Sequence, residues 1–383
     1  MLASMTHHVS AALSLAASRC ARITLGCVLV AACNAAYAGK MITCPDGSFA
    51  FSLSSCPKKN DPPATSQPGI TNNTVSGTVV DLGSSIGSAI SGAFGGSGFG
   101  GGSTTTTSAG GIQRAALPTG ETGAAAAAGK PRWNVWGALA RASVGYSFQP
   151  LQSGGTVNVA LGGLDYTFGD NLIIGVAVSD ERTRVSTPFN GGSLSANGNT
   201  IAPYLGWRIT PNWQMDATVG FGSTSLNSVD NSAGSVTGSN KDKRTMASVG
   251  LAYNQIMGKW LLTGRGGLSS SEDKFSSYTL SNNTFVAAST SRTLQLRAGG
   301  QAMYNAGSVL PFVGLTYIND LQRPNQAPVG GQSAANDRDG WQVRLGLNIP
   351  TKGALYGSVA LSTEVGRSQV KNNQLMANLG FRF

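Results

Sequence analysis

Histidine is almost missing from this chain. The only two, His7 and His8, lie near the start, inside a segment that reads as a secretory leader. The remainder then has none, which removes the base of any Ser-His or Asp-His catalytic arrangement. With no nucleophile motif either, the chain is not expected to be an enzyme. Charge is also scarce: Asp, Glu, Lys and Arg make up 11% of the 383 residues, where soluble domains average about 25%. After residue 38 no apolar run approaches the ~18 residues of a membrane helix. The net charge is +10, but Lys and Arg are dispersed, so nucleic acid is not an expected partner. Cys44 and Cys56 are the only cysteines beyond the leader. Their spacing suits neither a zinc site nor a redox CxxC, so neither metal nor cofactor is expected. What is abundant is glycine, 52 residues, with much Ser, Thr and Asn. Low charge, high glycine and no helical span point to an exported, β-rich protein.

The leader is residues 1–38. Arg19 and Arg22 precede the apolar run Ile23–Ala32, and Ala36-Tyr-Ala38 before Gly39 has the small-x-small form of a signal-peptidase site. Val30-Ala-Ala-Cys33 offers a competing reading, a lipidated Cys33. In residues 39–60, Cys44 and Cys56 flank the turn signal Pro45-Asp-Gly47 and the alternation Phe49-Phe51-Leu53, which predicts a hairpin closed by a Cys44–Cys56 disulfide. Residues 61–118 are rich in Gly, Ser and Thr and read as linker, short passenger or disorder. Within them, 79–94 spaces apolar residues helically and competes as a self-associating helix. Residues 119–130 carry Thr119 as N-cap, Glu121 in the first turn, an alanine run and Gly129 as a stop. Alone this helix is too short to persist in water; it needs a tube to sit in.

From Trp133 to Phe383 the hydrophobic period becomes two, and twelve strands are predicted. Leu172, Ile174, Val176 and Val178 alternate with Gly175, Ala177, Ser179 and Glu181. Trp341, Val343, Leu345, Leu347 and Ile349 alternate with Gln342, Arg344, Gly346 and Asn348. In the first strand, Trp136, Ala138, Ala140 and Ala142 are taken as the apolar face and Arg141 and Ser143 as the polar one. Short turns at 169–171, 210–212, 257–259, 306–307 and 350–353 alternate mostly with long polar connections at 185–196, 226–242, 274–289 and 321–338. That asymmetry, with lipid-side aromatics (Trp133, Trp207, Trp213, Trp260, Trp341, Tyr304, Phe381, Phe383) expected beside the short turns, predicts a 12-stranded antiparallel transmembrane β-barrel, all-β, with a short pore helix and a largely disordered N-terminal segment. The polar faces put Arg141, Asp165, Arg208, Asp216, Arg265, Arg297, Arg344, Glu364 and Arg382 in the lumen. They serve either as a salt-bridge network or as the lining of an anion-favouring pore.

The final strand, Leu375 to Phe383, ends on an aromatic. With Leu379, Phe381 and Phe383 on one face, it resembles the C-terminal signal that the barrel-assembly machinery of bacterial outer membranes reads. Residues 115–383 as a whole resemble the translocator domain of autotransporters (type V secretion). The likeness rests on Trp133-Asn-Val-Trp-Gly137, on Gly162-Gly-Leu-Asp-Tyr-Thr-Phe-Gly-Asp-Asn-Leu-Ile-Ile-Gly175, on the strand number and on the terminal Phe-Arg-Phe383. The resemblance implies an outer-membrane location, the lipid bilayer and the assembly machinery as partners, a helix in the pore, and a passenger displayed outside, with adhesion to host or cell-surface ligands as the class-level expectation. Two features depart from the pattern. Only residues 39–115 are available as passenger, and no Asn lies between Asn73 and Asn134 to form an Asn–Asn cleavage site, so an uncleaved passenger is expected. The competing function is an outer-membrane pore for small anionic solutes with a periplasmic N-terminal extension.

Overall fold

The computed structural model describes residues 42–43, 49–50, 132–148, 151–169, 171–232, 234–323, 336–350 and 355–383. The leader, Cys33, Cys44, Cys56, the Gly/Ser-rich segment and the candidate pore helix at 119–130 lie outside the described residues. Ahead of the barrel, β1 (Ile42–Thr43) pairs antiparallel with β2 (Phe49–Ala50).

Twelve strands form one closed barrel: β3 (Trp133–Tyr146), β4 (Ser153–Phe168), β5 (Leu172–Thr187), β6 (Gly192–Arg208), β7 (Trp213–Asp230), β8 (Val236–Met257), β9 (Trp260–Phe275), β12 (Ser289–Tyr304), β13 (Leu310–Gln322), β14 (Asp339–Pro350), β15 (Leu355–Val365) and β16 (Val370–Arg382). A small hairpin, β10 (Tyr278–Thr279) with β11 (Phe285–Val286), lies in the connection between β9 and β12. Each barrel strand pairs antiparallel with its neighbours in sequence, and β16 returns to β3. At that seam the register runs from Val370↔Tyr146 to Arg382↔Asn134. Just beyond it, Phe383 and Trp133 exchange both backbone hydrogen bonds, each at 3.0 Å. Closure is what a spanning sheet requires, because hydrocarbon offers no partner to an open edge.

Outward side chains form a nearly continuous apolar band: Leu139 is 66% exposed, Val178 56%, Leu345 55% and Leu361 60%. A water-facing surface of this extent is not viable for a soluble protein, whereas hydrocarbon accommodates it. The short connections 169–171, 209–212, 258–259 and 305–309 share one end, here the near end, with the last residues of β14 and the first of β15. Three of them use a glycine at positive φ, Gly169, Gly258 and Gly307, with φ of +60°, +61° and +93°, where a side chain would strain the turn. Aromatic pairs mark this end on the lipid face: Trp133–Tyr166 at 4.9 Å, Trp213–Tyr253 and Trp260–Tyr304 each at 5.0 Å.

Three expectations are corrected. The polar stretches at 185–196 and 226–242 are not long loops: β5 and β6 continue to a 3-10 turn at Pro188–Asn190, and β7 and β8 run on to Asp230 and Val236. The strands here are taller than the apolar band because ladder bonds and inward apolar residues (Val185, Leu194, Ala196, Leu226, Phe275) continue to hold them. Second, β3 is turned over. Trp136, Ala140 and Ala142 are buried inside, while Val135, Leu139 and Arg141 face out. Both parities of this strand carry apolar residues, so counting alanines chose the wrong phase. The ladder decides it, since Arg141 is paired with the outward Leu375. Third, Trp341 stands at the far end, near the start of β14, its ring tilted against Tyr317 at 5.3 Å between centroids.

Candidate functional site

The inward positions of the twelve strands assemble into three layers. At the near end, a hydrogen-bond chain crosses the seam. Asp165 on β4, 1% exposed, accepts from the Tyr204 hydroxyl of β6 at 2.7 Å and from Asn134 Nδ2 of β3 at 3.0 Å. The same hydroxyl accepts from Trp136 Nε1 at 2.8 Å. Asn134 Oδ1 in turn accepts from the Tyr356 hydroxyl of β15 at 2.8 Å. The Arg382 guanidinium of β16 lies 5.0 Å from the centre of the Tyr356 ring. One buried carboxylate thus ties β6, β4 and β3 to β15 across the closure.

Glycines make this layer possible. A Cβ at Gly163 would lie 2.3 Å from the Trp136 ring, at Gly175 2.5 Å from Tyr204 Cζ, and at Gly380 2.1 Å from Tyr356 Cζ. Each aromatic ring lies over bare backbone on an adjacent strand. The segment 162–175 therefore has a physical reading: Gly163 seats Trp136, Asp165 is the hub, Gly169 makes the turn and Gly175 seats Tyr204.

Above it lies an apolar layer on one side of the lumen: Trp136, Leu161, Ile173, Ala177, Ala202, Tyr204 and Met246. Level with the hub, Arg265 contacts Asp216 at 2.6 Å, in space that Gly250 leaves open. A third layer, toward the far end, holds further ion pairs. Arg244, with 1% of its side chain exposed, bridges Glu181 at 2.9 Å and Asp273 at 2.8 Å. On the opposite wall, Asp320 accepts from Gln295 Nε2 at 2.7 Å and pairs with Arg367 at 3.1 Å.

Of the nine charges expected inside, Asp165, Arg208, Asp216, Arg265, Arg297, Arg344, Glu364 and Arg382 lie at inward positions; Arg141 is outside. Sequence reasoning missed Asp242, Arg244, Asp273 and Asp320, all inward and buried. Asp242 and Arg244 sit in the charged run Lys241-Asp-Lys-Arg244, where the stretch read as a loop ends and the predicted strand begins, and neither was assigned to a face. The usable signal was parity, since both share the face of Met246. Among the described residues of the barrel strands, inward acids are at least as numerous as inward bases, so the excess of positive charge read from the sequence disappears.

Outside the membrane-spanning part, Asp337 pins the far-end connections together. Its Oδ1 accepts from Ser368 Oγ at 2.8 Å and its Oδ2 from the Gln369 amide. Partial burial works against its ionisation, but the amides of Gln369 and Ser368 and the Ser368 hydroxyl prevail and hold its pKa below the ordinary value. No group of three or more His, Cys, Asp or Glu side chains is arranged to hold a metal among the described residues. The described inward side chains pack and brace the wall.

Comparison with known proteins agrees with this architecture. The family model described as the autotransporter beta-domain matches residues 134–362. No curated protein matches the chain. Among solved structures, the translocator domain of autotransporter NalP from Neisseria meningitidis is similar with a TM-score of 0.58 at 14% identity, covering 66% of this chain and 89% of that one. The beta domain of the Bordetella autotransporter BrkA gives 0.55 at 14% identity, covering 66% and 100%. The transport unit of AIDA-I from Escherichia coli gives 0.53 at 11% identity, covering 65% and 90%. At such identities the likeness is one of fold; the family match, extending over more than half of the chain, carries the assignment. This chain belongs to the autotransporter family and forms its outer-membrane β-barrel.

Proposed function

We propose that the barrel inserts in the outer membrane and exports or displays the short N-terminal segment, residues 39–115, without releasing it, with adhesion as the class of activity it serves. In this reading residues 1–38 are removed as a leader, 39–60 form a disulfide-closed loop through Cys44 and Cys56, and 119–130 form a helix within the barrel. The observation that carries the proposal is the inner wall where the chain enters. Ala138, Ala140 and Ala142 on β3 and Val157 and Val159 on β4 point inward and make a smooth apolar strip beginning beside Arg132. An alanine-rich helix immediately upstream in sequence is the partner such a strip accepts. The lumen's balance of acids and bases gives a pore for anionic solutes little to work with. Leu379, Phe381 and Phe383 all face outward on the closing strand, which suits a handle for the barrel-assembly machinery.

The test is an epitope inserted after Lys59 and probed on intact cells. Labelling without permeabilisation supports export; labelling only after the outer membrane is disrupted refutes it and leaves a barrel with a periplasmic extension.

A further inference from the structure

We propose that the outer wall of the barrel, on β8, β9 and β12 directly above the apolar band, is a binding site for phosphate-bearing headgroups of outer-leaflet lipid. The inference is independent of whether the N-terminal segment crosses the membrane.

Four basic residues meet on this face. Lys243 of β8 stands directly opposite Lys274 of β9, and both point outward and are exposed. Like charges directly opposed across a ladder weaken it. Lys241 lies one outward step above Lys243, and Arg292 of β12 is paired with Glu272 in the adjoining register. Glu272 is the only carboxylate in the group. It is already shared, at 2.9 Å from Lys274 Nζ and 2.6 Å from Arg292 Nε. Among the described residues neither Lys241 nor Lys243 forms an ion pair. Four cations around one anion leave a demand for negative charge that the protein does not supply.

Position selects the source. Lys243 is ten residues up β8 from Tyr253, which packs against Trp213 in the near-end aromatic girdle. With about 3.4 Å per residue and a tilt near 40°, that is about 26 Å along the membrane normal, against an apolar band about 25 Å tall. Beneath the lysines the outward face passes through Thr245 and Ala247 on β8 and Glu272 and Ser270 on β9 to Val249 and Leu268 of the band. On β12 the last apolar residue, Leu294, is followed on the same face directly by Arg292; on β3, Leu139 is followed by Arg141 in the same manner. The cations therefore sit where hydrocarbon ends and headgroups begin. The flexible lysine stems bring their ammonium groups to that level, and the anions of highest density there are lipid phosphates, which Lys and Arg bind through charge-assisted hydrogen bonds.

The experiment uses the full chain folded into phosphatidylcholine nanodiscs containing a fixed minor fraction of diphosphorylated lipid A. Lipid A retained on the protein after detergent exchange is counted by native mass spectrometry. The wild-type chain is expected to retain lipid A over phosphatidylcholine. The K243Q/K274Q double variant should retain at least tenfold less, and K259Q, at a near-end turn, should match wild type. Heat-modifiable gel mobility establishes that each barrel is folded. Equal retention by K243Q/K274Q and wild type overturns the proposal, as does an equal loss in K259Q, which would mean diffuse attraction. Displacement of the lipid by millimolar inorganic phosphate would also overturn it, since the site would then select free anion.

Discussion

Arginine placed at successive positions of β14 tests the assignment of faces and depth. Leu345 is 55% exposed on the outer wall. It lies four residues from Trp341 toward the far end and four from Ile349 toward the near end, so about 10 Å of strand height separates it from each margin of the band. Leu345→Arg thus puts a guanidinium close to the bilayer midplane, at a cost of about 2–4 kcal/mol. At 3 kcal/mol the folded-to-unfolded ratio falls by roughly two orders of magnitude. Ile349→Arg sits at the margin and should cost about 0–1 kcal/mol. Gln342→Arg points inward, directly opposite Glu364, and should be tolerated because the new charge meets a carboxylate. Urea-driven equilibrium folding into short-chain lipid vesicles, followed by tryptophan fluorescence, measures all three. If Leu345→Arg costs no more than Gln342→Arg, the faces are wrong. If Ile349→Arg costs as much as Leu345→Arg, the depth is wrong.

Other parts of the barrel give further expectations. Gly175→Ala drives a methyl into Tyr204 and Asp165 and should cost about 1–3 kcal/mol by overpacking, whereas Gly264→Ala, with nothing within 4 Å of its Cβ, should leave the urea midpoint unchanged. Arg244→Met strands the buried Glu181 and Asp273 and should destabilise by about 3–5 kcal/mol; adding Glu181→Gln and Asp273→Asn to that variant should restore most of the loss in the same assay. Because the Asp337 pKa is depressed in the folded state, its contribution is complete above the ordinary carboxylate pKa of about 4 and lost as pH falls through the lower, folded value. Protection of the Gln369 amide relative to its intrinsic exchange rate should fall below about pH 4, and Asp337→Asn should remove that fall; unchanged protection in the wild type would contradict the pinning role.

Strand existence and order were legible in the sequence because lipid on one side and a polar lumen on the other impose a clean period of two. In β5, β14 and β16 the outward face reads off as Leu172 to Val178, Trp341 to Ile349 and Leu375 to Phe383. The reading failed where that contrast weakens. In β3 the inner wall is itself apolar, and only pairing with Leu375 shows that Arg141 is outside. Above the band, both faces of β7 and β8 are polar to the eye, so strand looked like loop, and Asp242 and Arg244 went unassigned. The near-end network was invisible for another reason. Asp165, Asn134, Tyr204 and Tyr356 are brought together by shear across strands far apart in sequence, and no local spacing encodes that.

The reciprocal hydrogen bonds between Trp133 and Phe383 also carry an entropic cost. They join residues 250 positions apart, 383 less 133, and closing a loop of that length costs about 5 kcal/mol in chain entropy. Neighbouring hairpins can zip as soon as each is available, but the cylinder is sealed only when its first and last strands meet. Until then β3 and β16 each carry a bare edge, and the Asp165 hub lacks its link across to Tyr356. A chain that ends within β16 would be left as an unsealed sheet, so closure of the cylinder depends on its final strand.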